Sequence, residues 1–529
     1  MDCTEKKVNK INVVITKKEL PLIALCASAV VFLSMTMLYG IMYTINIIPI
    51  LFAVPAFVFV AVKEKRTGPR PEIIMNEAPT AIGMMRLMID RGRSLDSVVR
   101  EVAANGPKNI AKMFSKVVWD VDVKIVPDMR GSLSAAVAAL PDALAAFKRS
   151  MYLIVSASDS KDAQERMRIT KDANDTMLEG LRETGESYSS KLSAPCMVIF
   201  GLGVMVPMIL VSILPMLSVG GQFSSAALDP MAIAAVTLII IPAVVAAVIM
   251  TIANGNPFYV RSDEKLNIVM LMPAAVCVPA LALLYVSTHD LTVSIAASAI
   301  IAGILLFVLL YPEMRAERRK IKTESMMGDA LFDLGNRLLS GENFETALIS
   351  SFRERNDCKD LASSLEWRIT VSRGDTGGAI RKAMIVYSEK MAGMYRDVHT
   401  ASLKDMRDAG RLAVSMGHQL QDQNAAVSGI RNKLRSMLDM MTGTSAVFAP
   451  LILGISVSML APLMGLAGGS EMSLTSPILM TYLIELAALI SVLTTQLRCR
   501  GGLMTTLYTF SMMMPAALTV FLISSGISI

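Results

Sequence analysis

Nine stretches of about 20 mostly apolar residues run through this chain, near 20–39, 41–62, 194–218, 230–253, 267–287, 291–311, 444–468, 475–496 and 503–526. Each is long enough to cross the hydrocarbon core of a bilayer as a helix. Inside that core every backbone amide must be bonded within the protein, which leaves a chain of this kind one solution, a set of helices. With 53% hydrophobic and only 18% charged residues, the composition is that of a multi-spanning membrane protein rather than a soluble globule. The basic start, "KKVNKINVVITKKEL", leads into an apolar run too long for a signal peptide and reads as a cytosolic tail before a retained span.

The positions of Lys and Arg orient these spans. With the N-terminus inside, the external segments are the turn at Gly40, 219–229, 288–290, 469–474 and the last few residues. They carry Asp229, Asp290 and Glu471 and no basic residue, so all 51 Lys and Arg fall on the cytoplasmic side. The expected topology is nine spans with the N-terminus cytoplasmic and the C-terminus extracytoplasmic.

Most of the basic residues lie in two long polar stretches, 63–192 and 312–443, with 21 in each. These divide the chain into a tail and membrane hairpin (1–62), a first cytoplasmic module (63–192), a four-helix membrane segment (193–311), a second cytoplasmic module (312–443) and a three-helix membrane segment (444–529). Apolar residues recur every three or four positions in "IIMNEAPTAIGMMRLMI" and "MGDALFDLGNRLL", so each module reads as a bundle of five or six helices. The two modules also echo each other. "RGRSLDSVV" at Arg91 and "SGENFETAL" at Ser340 align Gly92 with Gly341, Leu95 with Phe344, Asp96 with Glu345 and Val98 with Ala347. Gly92 and Gly341 are placed to end a helix in the left-handed conformation. Ser94 and Asn343 can cap the next one, and Asp96 and Glu345 suit its first turn; Leu95 and Phe344 should turn inward. "RGSLSAAVAAL" at Arg130 is matched by "RGDTGGAIRKA" at Arg373, and "SAPCMVIFG" at Ser193 by "FAPLILG" at Phe448. Four spans separate the modules, so both face the same way and the repeat is parallel. The expected fold is all-α: a polytopic membrane protein with two duplicated cytoplasmic bundles.

Chemistry-bearing motifs are missing. The chain contains no GxxxxGK[ST] phosphate loop, no HExxH and no GxSxG, and its six cysteines form no CxxC pair. No catalytic, cofactor-binding or metal-binding residue is expected, and the chain reads as a non-enzyme. Glu485, in "TYLIELAALI", is the ionisable group that falls within a span, and a carboxylate there serves either helix packing or conduction. Two basic clusters lie at the membrane edge: Lys63, Lys65, Arg66 and Arg70, then Arg315, Arg318, Arg319, Lys320 and Lys322. Each reads as a docking site for a cytosolic partner or as an anchor on anionic headgroups.

The duplicated module, with "LMIDRGRSLDSVV" and "LLSGENFETALIS" each followed by an RG-led helix and a proline-bearing span, resembles the type II secretion system F-domain family. That family supplies inner-membrane platforms of type II secretion systems and type IV pili. Two modules with about nine spans are similar to its archaeal branch, the platforms of the archaellum and of adhesion pili. The resemblance implies two bundles below a membrane core, no cofactor, a hexameric secretion ATPase as cytosolic partner and pilin- or archaellin-like subunits as clients. Membrane lipids are expected partners and nucleic acid is not; a homodimer and the choice between archaellum and adhesion pilus stay open. A secondary transporter with a parallel internal repeat is the alternative.

Overall fold

A computed structural model describes residues 71–210, 236–254, 291–372, 374–467, 475–498 and 500–526, with isolated positions between 256 and 286. The first, second and most of the fifth expected spans (20–39, 41–62, 267–287) lie outside these residues, as do Lys63, Lys65, Arg66 and Arg70. The described chain is helical except for one two-residue parallel pairing, β1 (Val260–Arg261) with β2 (Arg500–Gly501). Among the described residues, five helices are long and apolar enough to cross a membrane: Ala163–Leu210, Thr292–Leu339, Met406–Met459, Ser476–Leu497 and Leu503–Ser524. The segment Val236–Ile252 is a shorter apolar helix. The first three continue without a break between apolar and polar sequence, so each crosses a boundary that the sequence placed between a span and a polar module.

The chain divides into two compact units. One is polar in sequence and comprises Gly68–Ser187 and Arg315–Asn432, so both expected modules fall into a single unit. Its first stretch holds α1 (Pro71–Asp90), α2 (Leu95–Asn105), α3 (Lys108–Asp122), α4 (Met129–Ala138), α5 (Ala145–Asp159) and the start of α6 (Ala163–Phe200). Helix α7 (Ile241–Asn254) belongs to the apolar unit. The second stretch holds the end of α8 (Leu291–Leu339), then α9 (Phe344–Arg353), α10 (Lys359–Val371), α11 (Thr376–Met384), α12 (Glu389–Ser402) and the start of α13 (Met406–Gly443).

Helical spacing of apolar residues sets these elements. Ile110, Phe114 and Val117 bury one face of α3, and Met391, Met394, Tyr395 and Val398 one face of α12. Tyr395 is fully buried and donates its hydroxyl to the Met327 carbonyl at 2.8 Å, which makes its burial affordable in hydrogen-bond terms. Capping is partly tertiary. Helix α3 begins after Pro107, which offers no side-chain cap, and the Glu77 carboxylate of α1 takes the amides of Asn109 (2.9 Å) and Ile110 (3.1 Å) instead. Between the two stretches, Gln423 donates to the Pro79 carbonyl at 2.9 Å, and Lys390 reaches Gln423 Oε1 at 2.9 Å and Thr80 Oγ1 at 3.3 Å. Leu87 of the first stretch sits in the apolar core of the second.

The apolar unit contains Tyr188–Met314 and Lys433–Ile529. Here α14 (Ala449–Ala467), α15 (Thr475–Leu497) and α16 (Leu503–Ser524) pack together, with α7 against α15. Among the described residues, three turns of π-helix adjoin the α-helical ladder: Gly201–Met205, Val236–Ile240 and Thr444–Phe448. Each ends two residues before a proline, Pro207, Pro242 and Pro450. A proline has no amide to donate, and its ring collides with the carbonyl four residues back, so the preceding turn widens.

Candidate functional site

The two corners share one pattern of backbone hydrogen bonds. Gly92 has φ +75° and Gly341 φ +90°. At the first, the Gly92 amide donates to Ile89 (2.8 Å) and the Arg93 amide to Met88 (3.2 Å); at the second, Gly341 donates to Leu338 (3.1 Å) and Glu342 to Arg337 (3.1 Å). This is the Schellman pattern, and it needs a residue that tolerates positive φ. The corners then diverge. The Ser94 and Asn343 backbone carbonyls both accept from the amide four residues on and the hydroxyl three residues on, but the Ser94 side chain also accepts from the Ser97 amide at 3.4 Å, whereas the Asn343 side chain makes no cap bond. Phe344 is buried against the His399 ring, centroids 5.0 Å apart, but Leu95 is only half-buried, since Val98 and Val99 fill the inward face of α2. Asp96 pairs with Arg100 at 3.1 Å, while Glu345 accepts from Thr376 at 2.9 Å. Arg91 and Arg93 of the first corner interact electrostatically with Asp397 of the second stretch, and Arg91 with Asp408 as well. Neither glycine is crowded: a Cβ at Gly92 would come no nearer than 4.0 Å, to the end of Arg166, and one at Gly341 would meet nothing within 4 Å.

The expected match of Arg130 with Arg373 shifts. Asp128 and Asp375 are the N-caps of α4 and α11 and accept from Gly131 (2.9 Å) and Gly378 (2.8 Å). The structural equivalence is Gly131 with Gly378, four residues away from the pairing of the RG dipeptides, because the capping carboxylate fixes where the helix starts.

Of the second basic cluster, Arg315, Arg318, Arg319 and Lys322 form one stripe along two turns of α8, with Lys320 beside it, and all five are exposed. Lys322 is paired with Asp357 at 2.7 Å, so that charge is partly neutralised.

Glu485 is 8% exposed on α15, and neither of its carboxyl oxygens has a hydrogen-bond partner. One turn earlier, the buried Tyr482 donates its hydroxyl to the Gly203 carbonyl. Gly203 lies four residues before Pro207, so its carbonyl is the one that the proline leaves without an amide. The other two π-turns also pack on α15. All three π-turns among the described residues thus meet α15, Gly201–Met205 through the Tyr482 hydroxyl and the other two by packing on the helix. The prolines were visible in the sequence; their grouping on one helix was not. Among the described residues no cluster of His, Cys, Asp and Glu is arranged to hold a metal. Compared with family models, with curated proteins and with solved structures, the chain matches none.

Proposed function

We propose that this chain is a non-enzymatic membrane platform for assembly of a type IV pilus-like filament, an archaellum or an adhesion pilus. In this reading it couples a cytosolic hexameric secretion ATPase to insertion or extrusion of pilin-like subunits. The observation that supports the reading is the likeness of the two helical stretches. Two Schellman corners 249 residues apart lead in each stretch into the same succession of helices, with an Asp-capped helix at the same place.

Paired replacements support common descent of the two stretches. Asp90 accepts from Thr170 at 2.6 Å where α1 meets α6; the equivalent positions are Leu339 and Ala413, and Leu339 lies against Gly410. Glu77 caps α3, while its counterpart Met326 touches the Cys358 sulfur at the start of α10. The same junctions are kept with exchanged chemistry, as in duplicated domains that have drifted apart. The nine-span topology is supported by β1 and β2, which bring 254–266 and 497–502 together, two segments it places on the cytoplasmic side. The alternative, a transporter, draws on Glu485, one buried carboxyl without partner.

The test is binding and assembly. The full chain in detergent is expected to capture the purified secretion ATPase, and Arg318, Arg319 and Lys320 changed to Glu should weaken capture and flatten its salt dependence. Cells lacking the chain should make subunits but no filaments. Normal filaments in such cells would overturn the reading.

A further inference from the structure

The chain has two tryptophans, and each stands in water on the third helix of its stretch: Trp119 on α3 is 64% exposed and Trp367 on α10 is 63%. Isolated exposed aromatics carry no message, but Trp119 has company. Val123 and Ile125, at the end of the same helix, are 50% and 67% exposed. Between them, Lys124 has φ +61°, alone among the described non-glycine residues in having a positive φ. Its amide donates to Val121 at 3.0 Å, and the Ile125 amide to Asp120 at 2.9 Å. This is the same cap as at Gly92 and Gly341, with a lysine where L side chains are disfavoured. In such a cap the residue after the left-handed one usually folds back onto the helix; Ile125 points into water instead. The second stretch uses glycine at the corresponding loop, Gly374 at φ +110°.

Charge completes the surface. Lys108, Lys112 and Lys116 are exposed and share the helical face of Trp119 and Val123. The nearby Asp122 is consumed internally by Arg100, at 2.7 and 3.2 Å, so four lysines with Lys124 face outward against Asp120 and Asp128, the latter engaged as the cap of α4. The wider surroundings, Asp96, Arg100 and Glu101, are of mixed sign, unlike the broad basic field that suits a headgroup layer. A fixed, strained loop around a tryptophan suits a shaped protein pocket, since buried Trp anchors carry much of the energy of such interfaces.

We propose that Trp119, Val123, Lys124 and Ile125 form a docking knob for an apolar pocket ringed by carboxylates on a partner protein. The partner, resting on the platform reading, is the cytosolic secretion ATPase. Trp119 supplies the anchor, and the lysines steer and orient the approach.

The test titrates the purified ATPase against the full chain in detergent. Trp119→Ala is expected to weaken binding at least tenfold, Trp119→Phe less, and Trp367→Ala not at all. Lys124→Gly serves as the folding control: it should melt no earlier than the unaltered chain yet bind more weakly. Binding unchanged in Trp119→Ala overturns the knob while leaving the platform reading intact; no binding by the unaltered chain overturns both. A second arm places the Trp367→Phe chain in nanodiscs with anionic lipid and no ATPase. Trp119 emission should stay that of a tryptophan in water. A blue shift there would assign the knob to headgroups and overturn the proposal.

Discussion

Replacing Gly341 separates two physical causes that usually travel together. At φ +90° with nothing within 4 Å of an added Cβ, the position penalises a side chain through the backbone and not through crowding. Alanine there should cost about 1–2 kcal/mol. Valine should cost more, because branching at Cβ narrows the backbone further. Asparagine, although larger than alanine, enters the left-handed region more readily and should cost less than alanine. Each kcal/mol lowers the melting temperature of a unit this size by about 2–4 °C, so alanine should shift it by roughly 2–8 °C. The measurement is calorimetry on the full chain in detergent, with helicity followed by circular dichroism. The expected order of loss is Asn, then Ala, then Val, and Gly92 should behave alike, since its nearest contact is the end of Arg166 at 4.0 Å. Gly335→Ala is the contrast: there a Cβ would lie 2.8 Å from the Val414 amide nitrogen and 2.9 Å from the Gly410 carbonyl, which cannot yield without moving a helix. An order that follows side-chain size at Gly341, or a flat series, would refute the argument from backbone conformation.

Burial raises the pKa of Asp90 against the pull of the Thr170 hydroxyl, Arg86 and Arg166. A carboxyl whose folded pKa is raised favours the fold at low pH and loses that contribution as pH climbs through the raised value. Asp90→Asn keeps an acceptor for Thr170 and cannot ionise, so it should melt later than the parent at neutral pH, with the gain shrinking toward about pH 4. Glu485→Gln should leave melting in detergent unchanged, whereas Glu485→Lys should abolish accumulation in the membrane, because the site offers no partner for a charge. A cytosol-active reporter should work when fused after Met441 and fail at Ile529; activity at both would mean an even number of spans.

The parts legible in the sequence are those fixed by local chemistry. A glycine followed by a cap and an acid announces a helix corner, and runs of about 20 apolar residues announce spans, with no distant contact needed. What depended on distant contacts was hidden. Gln423 and Pro79 are 344 residues apart, and nothing near either marks their bond, so the two stretches read as separate modules although they share one compact unit. The RG dipeptides misled the alignment because identity of letters at Arg130 and Arg373 outweighed the capping role of Asp128 and Asp375. The exposure of Trp119 and Trp367 was equally hidden, because it depends on which face of α3 and α10 the bundle covers.

The three long helices are not mechanically alike. Helix α6 runs as uninterrupted α-helix for 38 residues before its π-turn at Gly201–Met205, and α13 for 38 before its own at Thr444–Phe448. Helix α8 stays α-helical for 49 residues, straight through Pro312. A widened turn has lost a rung of its ladder and bends more easily than the rod on either side. Pro312 likewise leaves one carbonyl of α8 without an amide, so bending is concentrated at the π-turns that follow α6 and α13 and at the Pro312 turn of α8, a helix about 73 Å long at 1.5 Å per residue.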